Sequence, residues 1–288
     1  MLMGGEPIAV AVSSQFIVDP ERRATTLAGI QLLRAFLDGP QDLSIADEAN
    51  DDSRKLWEGL GGSTSLLYSV HWTRPLRPVR LALSSLSKRK MLALLATLAR
   101  PVAAFSDVIA ARLPGSPFHL SPCEMSGEEA SDDRLLACIH EHAAKLAVRP
   151  DYDASSFSWL LGRCARRDHL GRLRRVLLRD PKGRVVGWYV YFAKRGGIGQ
   201  VLHMAAKRGF TGAVLNHLSV EAWRQGVVAL TGRLEPDFLR ALSSAYCMLQ
   251  RGRYWMLIHS RKQDILAALH RGDAHLSRIE GEFCLRFS

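Results

Sequence analysis

The hydrophobic pattern at the start of the chain alternates. Ile8, Val10, Val12, Phe16 and Val18 interleave with smaller or polar neighbours, the period-two signature of a strand, and Asp19-Pro20 stops it. The spacing then turns helical. Leu27, Ile30, Leu33 and Leu37 recur every three or four positions over residues 24–37, ahead of Gly39-Pro40. A short strand at 43–46 and a helix at 51–60, ended by Gly61-Gly62, follow. Residues 66–72 read as a strand closing this first unit, terminated by Arg74-Pro75-Leu76-Arg77-Pro78. Residues 79–113 are rich in Leu and Ala and predict connecting helices, and 113–122 carries several prolines and reads as a linker.

Beyond the linker the pattern predicts helices at 132–148 and 157–164. Strands at 173–178 and 185–193 then flank the turn Asp180-Pro181-Lys182-Gly183. A strand at 199–206, a helix with Val214, Leu215, Leu218 and Ala222 on one face, a strand at 227–231, a helix at 235–245 and a strand at 255–259 complete the order. Ile279, Gly281, Phe283, Leu285 and Phe287 alternate with polar or small residues and predict a half-buried closing strand.

Two stretches carry a recognisable resemblance. Val18-Asp19-Pro20-Glu21-Arg22-Arg23 and Arg23-Ala24-Thr25-Thr26-Leu27-Ala28 are similar to V-x-P followed by R-x-x-G-x-G/A. Asn50 through Gly62, Asn-Asp-Asp-Ser-Arg-Lys-Leu-Trp-Glu-Gly-Leu-Gly-Gly, is similar to N-x-x-A-x-x-L-Y-x-x-x-G-F. Both motifs are those of the GCN5-related N-acetyltransferase (GNAT) superfamily, which these stretches resemble. Thr26 stands where that family has its first glycine, and Trp57 where it has a tyrosine acid. The second half resembles the family in element order, and Arg208-Gly209-Phe210-Thr211-Gly212-Ala213 is similar to the same turn, again with a threonine in the first glycine position.

The resemblance implies a mixed α/β fold: a central mixed sheet flanked by helices, two such units in tandem. The expected division is an incomplete first domain at 1–78, a helical connector at 79–118 and a second domain at 119–288. The family has three strands and two helices ahead of the strand that Ile8 begins, and only a few residues precede it here. The first domain is therefore expected to be a remnant, or the chain start misassigned.

Composition narrows the partners. The 288 residues are 47% hydrophobic, enough to bury a core, and the net charge of +11 suits an anionic partner. Basic runs such as Lys88-Arg89-Lys90 are short and no nucleic-acid-binding motif stands out, so no specific nucleic acid is expected. With the apolar stretch beside that run, the helices of 79–113 offer a peripheral membrane contact, although Arg100-Pro101 leaves it too short to span a bilayer. Cys123, Cys138, Cys164, Cys247 and Cys284 show no C-x-x-C pairing. Free thiols, no metal site and a cytoplasmic location are expected.

A helix N-terminus attracts phosphate through unpaired N–H groups and a partial positive charge, and glycine lets the anion approach closely. The resemblance therefore implies acetyl-CoA or another acyl-CoA as donor and an amine-bearing acceptor. The donor would be held by Met204, Ala205, Arg208, Gly209, Thr211 and Gly212 in the second half, and by Val18, Arg22, Arg23, Thr25, Thr26 and Asn50 in the first. Acyl transfer needs a base for the ammonium, a polarising N–H and an acid for the thiolate. The first half offers only Ser13, Ser14 and Gln15 on its strand. The second offers His203 or Glu235 as base and Tyr246 as acid. Strand alternation places Val201 and His203 on one face. The alternative is an inactive GNAT-like module that binds an anionic ligand or a protein.

Overall fold

The structure, a computed structural model, describes residues 1–17, 19, 27–86, 100–251 and 254–285. The chain begins with β1 (Leu2–Met3), β2 (Glu6–Pro7), β3 (Val10–Val12), α1 (Ala28–Leu37), β4 (Leu43–Ala49), α2 (Asp51–Gly59), β5 (Ser63–Thr64) and α3 (Leu66–Ser69). It continues through β6 (Val70–Pro75), α4 (Pro78–Leu86), α5 (Arg100–Arg112), β7 (Ser126–Glu129), α6 (Asp132–Ala143), β8 (Val148–Arg149) and α7 (Ala154–Ala165). Then come β9 (Arg172–Arg179), β10 (Val185–Ala193), β11 (Ile198–Ala206), α8 (Thr211–Arg224), β12 (Ala229–Arg233), α9 (Leu239–Ser244) and β13 (Met248–Arg251). β14 (Trp255–His259), α10 (Gln263–Arg271) and α11 (Glu282–Leu285) finish it.

These elements form two compact units whose chain segments interleave. One comprises Met1–Val70, Asp132–Arg166 and Arg251–Ser288, the other His71–Ser131 and Arg167–Gln250. The sequential division at 78 and 118 therefore does not follow the lines of compactness, and the reason is strand pairing. β6 pairs antiparallel with β12, Thr73 opposite Thr231, inside the second unit's sheet. β14, from the far end of the chain, pairs with β4 and β5 inside the first unit's sheet. The segment expected to close the first unit is instead a helical turn, α3, followed by the strand β6 of the second.

In the first unit the order is β3-β4-β14-β5, with a small sheet β2-β1-β8 beside it. Period two divides its core cleanly. Ile45, Met256 and Ile258 join Leu43, Tyr68, Ile265 and Leu269 on one face. Ala46, Trp255 and Leu257 join Leu33, Leu37 and Trp57 on the other. β14 is an unbroken apolar run because both its faces are covered. The long strand expected over residues 8–18 is only Val10–Val12, and the helix expected to Val148 ends at Ala143. The predicted closing strand at 279–287 is not formed in the described residues. Ser277 N–H and Oγ–H donate to the Glu280 carboxylate, and Glu282 N–H donates to Asp47 Oδ1 at 2.7 Å. These side-chain acceptors, one local and one from β4, satisfy backbone donors that a ladder would need, and α11 forms instead.

The second unit holds a seven-stranded mixed sheet, order β13-β6-β12-β11-β10-β9-β7. Residues Val186–Phe192 of β10 are all buried, as in a strand covered on both faces. α8 packs Val214, Leu215, Leu218 and Ala222 inward. At the predicted hairpin turn Asp180 Oδ1 accepts the N–H groups of Lys182 and Arg184, and Gly183 supplies φ +78°. β6 is anchored by Trp72, 0% exposed, whose indole N–H donates to Arg233 O at 3.1 Å. Among the described residues no helix is long and apolar enough to cross a membrane.

Candidate functional site

The second unit's sheet opens at one place. β11 and β12 run parallel only from Ile198↔Ala229 to Val201↔Gly232. Beyond Val201, β11 continues to Ala206 with no strand on that side among the described residues. At the same point β11 bulges: Val190 faces His203 while Tyr191 faces Val201, so Leu202 is the extra residue. The bulge breaks the alternation that placed Val201 and His203 on one face. It re-aims His203, whose ring sits 6.2 Å from that of Trp188 and is 4% exposed.

Glu235 lies just after β12 and meets His203 across the opening, Oε1 to Nδ1 at 2.9 Å. Glu235 stands at the start of a 3-10 turn, Pro236–Phe238, yet its side chain makes no cap to that turn. Capping therefore does not account for the carboxylate; it is turned to the imidazole. Met204 and Ala205 follow on β11, buried, where the strand has lost its parallel neighbour.

α8 begins at Thr211 with no side-chain cap on its first turn, so its leading N–H groups are left to other partners. Arg208 and Gly209 precede it in an exposed turn, Gly209 at φ +87°. Thr211 and Gly212 border a cavity of ≈ 580 Å³ whose wall includes Leu215, Asn216, Arg240, Ser244, Tyr246, Arg74 and His119. A Cβ on Gly212 would meet nothing within 4 Å. Tyr246 is 69% exposed at φ +53°, a conformation rare outside glycine, and its side chain reaches this cavity. The structure thus brings His203 to Glu235, and Thr211 and Gly212 to Tyr246. His203 and Glu235 are not among the residues bordering the cavity.

Arg74 and Arg240 were missed by the sequence reading. Arg74 sat in a run that signals a strand end, and only the pairing of β6 with β12 places it inside the second unit. No local signal in the sequence reveals that pairing.

In the first unit Val18, Arg22, Arg23, Thr25 and Thr26 lie outside the described residues. Asn50 caps α2, its Oδ1 accepting Ser53 N–H at 2.8 Å, and borders a smaller cavity of ≈ 270 Å³. That cavity is lined by Phe16, Ile17, Leu33, Trp57, Tyr254 and the carboxylates of Glu48 and Glu282. Trp57, in the tyrosine position of the family motif, is 2% exposed, and its indole N–H is spent on Ile258 O at 3.0 Å. Most of the apolar stretch expected to touch a membrane lies outside the described residues; α5 keeps Val102, Phe105 and Ile109 exposed.

No protein-family model matches the sequence, and no curated protein matches it. Solved structures do. A GCN5-related N-acetyltransferase from Anabaena variabilis ATCC 29413 superposes with TM-score 0.54 at 13% identity, over 89% of this chain and 56% of its own. A conserved protein of unknown function from Enterococcus faecalis V583, described as a probable N-acyltransferase, gives TM-score 0.52 at 11% identity, over 90% of this chain and 56% of its own. The chain thus spans little more than half the length of either structure. At such identities the likeness speaks for architecture alone, and it agrees with mixed sheets flanked by helices. The fold of this chain is that of the GCN5-related N-acetyltransferases.

Proposed function

We propose that the chain is an acyl-CoA-dependent N-acyltransferase whose donor and reacting groups lie in the second unit. The observation that carries this reading is the contact between His203 and Glu235 at the point where β11 and β12 part. A parallel pair that separates leaves strand backbone without a neighbour, and the pantetheine arm of a donor can pair with the β11 edge there as a strand would. The thioester carbonyl then lies against a β11 N–H, which stabilises the oxyanion as it develops. Glu235 orients the imidazole through Nδ1, and the pair takes the proton from the acceptor ammonium. The amine nitrogen attacks the carbonyl carbon, the C–S bond breaks, Tyr246 gives its proton to the departing thiolate, and the second proton of the nitrogen, lost as the amide forms, restores the Tyr246 hydroxyl. The pyrophosphate sits at the uncapped start of α8, by Arg208, Gly209, Thr211 and Gly212.

The second reading, an inactive module that binds an anionic ligand, draws on two observations. Thr211 holds the first glycine position of the turn. Tyr246 lines the cavity, and His203 and Glu235 are not part of that lining. One experiment separates the two. Acetyl-CoA and longer acyl-CoAs are titrated against the thermal transition, and release of free CoA thiol is followed with a panel of primary amines. A ligand that binds only the folded state raises Tm by mass action, ~2.7 kcal/mol of stabilisation at a hundredfold excess over Kd. A Tm rise together with amine-dependent thiol release supports the enzyme. A Tm rise with no thiol release for any amine installs the second reading, and no Tm rise rejects both as far as CoA is concerned.

A further inference from the structure

Two arginines three residues apart are buried in the second unit, and they are treated differently. Arg77 is 9% exposed, and its guanidinium is fully employed. Nη1 donates to Val227 O at 2.6 Å, Nη2 donates to Trp223 O at 2.8 Å, and the plane stacks on the Trp223 ring at 3.7 Å. Carbonyls and an aromatic face hold that charge, so Arg77 explains itself as a tie from the turn after β6 to the end of α8 and the segment leading into β12.

Arg74 is 6% exposed and has almost nothing. Among the described residues its one side-chain hydrogen bond is a long contact from Nη2 to His119 O at 3.4 Å, and Nε is buried with no acceptor. Among the described residues no carboxylate forms an ion pair with it. The group nearest in charge is Cys247, whose thiol burial pushes up to about 11, so at neutral pH it carries no compensating charge. Burial also lowers the pKa of Arg74 itself, as it does for any cation withdrawn from water. A guanidinium does not deprotonate in the physiological range, so the charge remains. Burying it unpaired is costly, and folds that have no use for such a group fill the position with an apolar side chain.

Arg74 forms part of the wall of the ≈ 580 Å³ cavity, together with Arg240 and the uncapped first turn of α8, and its Nη2 contact His119 borders the same cavity. Three positive features therefore face one space: a helix N-terminus, an arginine on α9 and a buried arginine lacking an anion. A phosphate oxygen set matches a guanidinium fork, which donates two parallel N–H bonds.

We infer that Arg74 is a phosphate-reading residue of the second unit's cavity, donated to it by the strand β6 that reaches that sheet from the first half of the chain. The charge left unbalanced in the protein alone is balanced by a phosphate group of the ligand. The acyl-CoA reading enters only to name that ligand as a CoA phosphate; the phosphate chemistry stands without it.

The test uses the full-length protein, with CoA, pantetheine (the same thiol arm without phosphates) and inorganic pyrophosphate as probes, in titration calorimetry and thermal shift at fixed ionic strength. Wild type is expected to bind CoA more tightly than pantetheine and to gain Tm with pyrophosphate beyond the effect of sodium chloride at equal ionic strength. Arg74→Met is nearly isosteric and removes the unpaired charge. It is expected to raise the Tm of the ligand-free protein, to weaken CoA ~10- to 100-fold, the worth of one or two charge-assisted hydrogen bonds, and to leave pantetheine unchanged. Arg74→Lys keeps the charge without the fork and is expected to fall between the two. A methionine variant that binds CoA and pyrophosphate as wild type does overturns the inference. So does a wild type that gains no Tm with either probe, which needs no variant to fold. If pyrophosphate stabilises wild type but not Arg74→Met while CoA binds no better than pyrophosphate, the Arg74 site stands and the acyl-CoA reading falls.

Discussion

The two units share a way of building and differ in what they do with charge. Each lays a mixed sheet under helices and each leaves a cavity beside it. The first unit's cavity presents Glu48 and Glu282 among Phe16, Leu33, Trp57 and Tyr254; the second's presents Arg74, Arg240 and His119 around an uncapped helix start. The first unit also satisfies its buried charges internally. Asp47 accepts Glu282 N–H, and Arg278 lies 3.7 Å from Glu48 and 3.7 Å over the ring of Phe283. Among the described residues of the second unit, Arg74 has no anion beside it. Two carboxylates in a cavity repel a pyrophosphate, whereas buried guanidinium attracts one. On the proposed function, the contrast favours the second unit over the first as the place of an anionic donor.

The largest effect expected from breaking this arrangement is loss of the fold. Residues 119–288 alone would have every element the sequence assigns to the second domain, yet they lack β6, which runs between β12 and β13 in that sheet. Without it Trp72 and Leu76 leave the core, and removal of one such indole alone costs about 3–5 kcal/mol. The fragment is expected to show no cooperative thermal transition, and adding the 71–131 segment is expected to restore one. A fragment that melts cooperatively by itself would mean that the interleaving contributes little.

Next in size is catalysis. His203→Gln keeps a polar ring-sized group beside Glu235, and Tyr246→Phe removes only a hydroxyl from an exposed side chain. If the second unit is the enzyme, each lowers the turnover rate by ~10²–10⁴-fold with CoA binding retained, the usual worth of a general base or acid. Steady-state rates with one defined amine, read beside CoA affinity, decide the matter. Full turnover in Tyr246→Phe removes that residue from the mechanism, and loss of binding in His203→Gln reassigns the histidine to positioning.

The sequence was legible where a local rule sufficed. The strand Trp255–His259 has its predicted bounds, the β9–β10 hairpin follows from its turn residues, and the inward face of α8 follows from Val214, Leu215, Leu218 and Ala222. His203 and Glu235, 32 positions apart, were both singled out, and the structure places them in contact. What was not legible is long-range. Thr73 opposite Thr231 is a pairing over more than a hundred residues, and nothing near Thr73 encodes it. The bulge at Leu202 depends on the β10 register. The C-terminal alternation from Ile279 to Phe287 matches a strand as well as any true one, but side-chain bonds from Asp47 and Glu280 pre-empted it. Arg74 read only as part of the run that ends a strand, because burial is decided by the partner strand.

A smaller effect sharpens the contrast at Asn50. The resemblance makes it a donor contact, whereas in the structure its side chain caps α2. Loss of such a cap costs about 1 kcal/mol. Asn50→Ala is expected to lower the denaturant midpoint accordingly and to leave CoA affinity unchanged. A parallel fall in CoA affinity would bring the donor to the first unit and undo the assignment by charge.

The smallest expected effect is on the pH dependence of stability, and it too distinguishes the units. In the second, His217 has its Nδ1 2.9 Å from Tyr189 Oη between α8 and β10, and burial lowers its pKa below the usual imidazole value of 6.5, with Arg224 adding to the shift and Glu221 opposing it. In the first, burial and Arg261 lower His259 in the same direction, against Asp38. For a base whose folded pKa lies below its unfolded one, the unfolded chain takes the proton first on acidification. The contribution to stability is whole above pH 6.5 and is lost as pH falls from there to the folded pKa. Stability from denaturant melts is therefore expected to decline below that point in wild type. His217→Gln retains a hydrogen-bonding group beside Tyr189 and is expected to flatten part of the decline, leaving the share due to His259. If the glutamine variant shows the wild-type slope, His217 is not held neutral by its burial, and the polar contact beneath α8 is as open to protons as the surface.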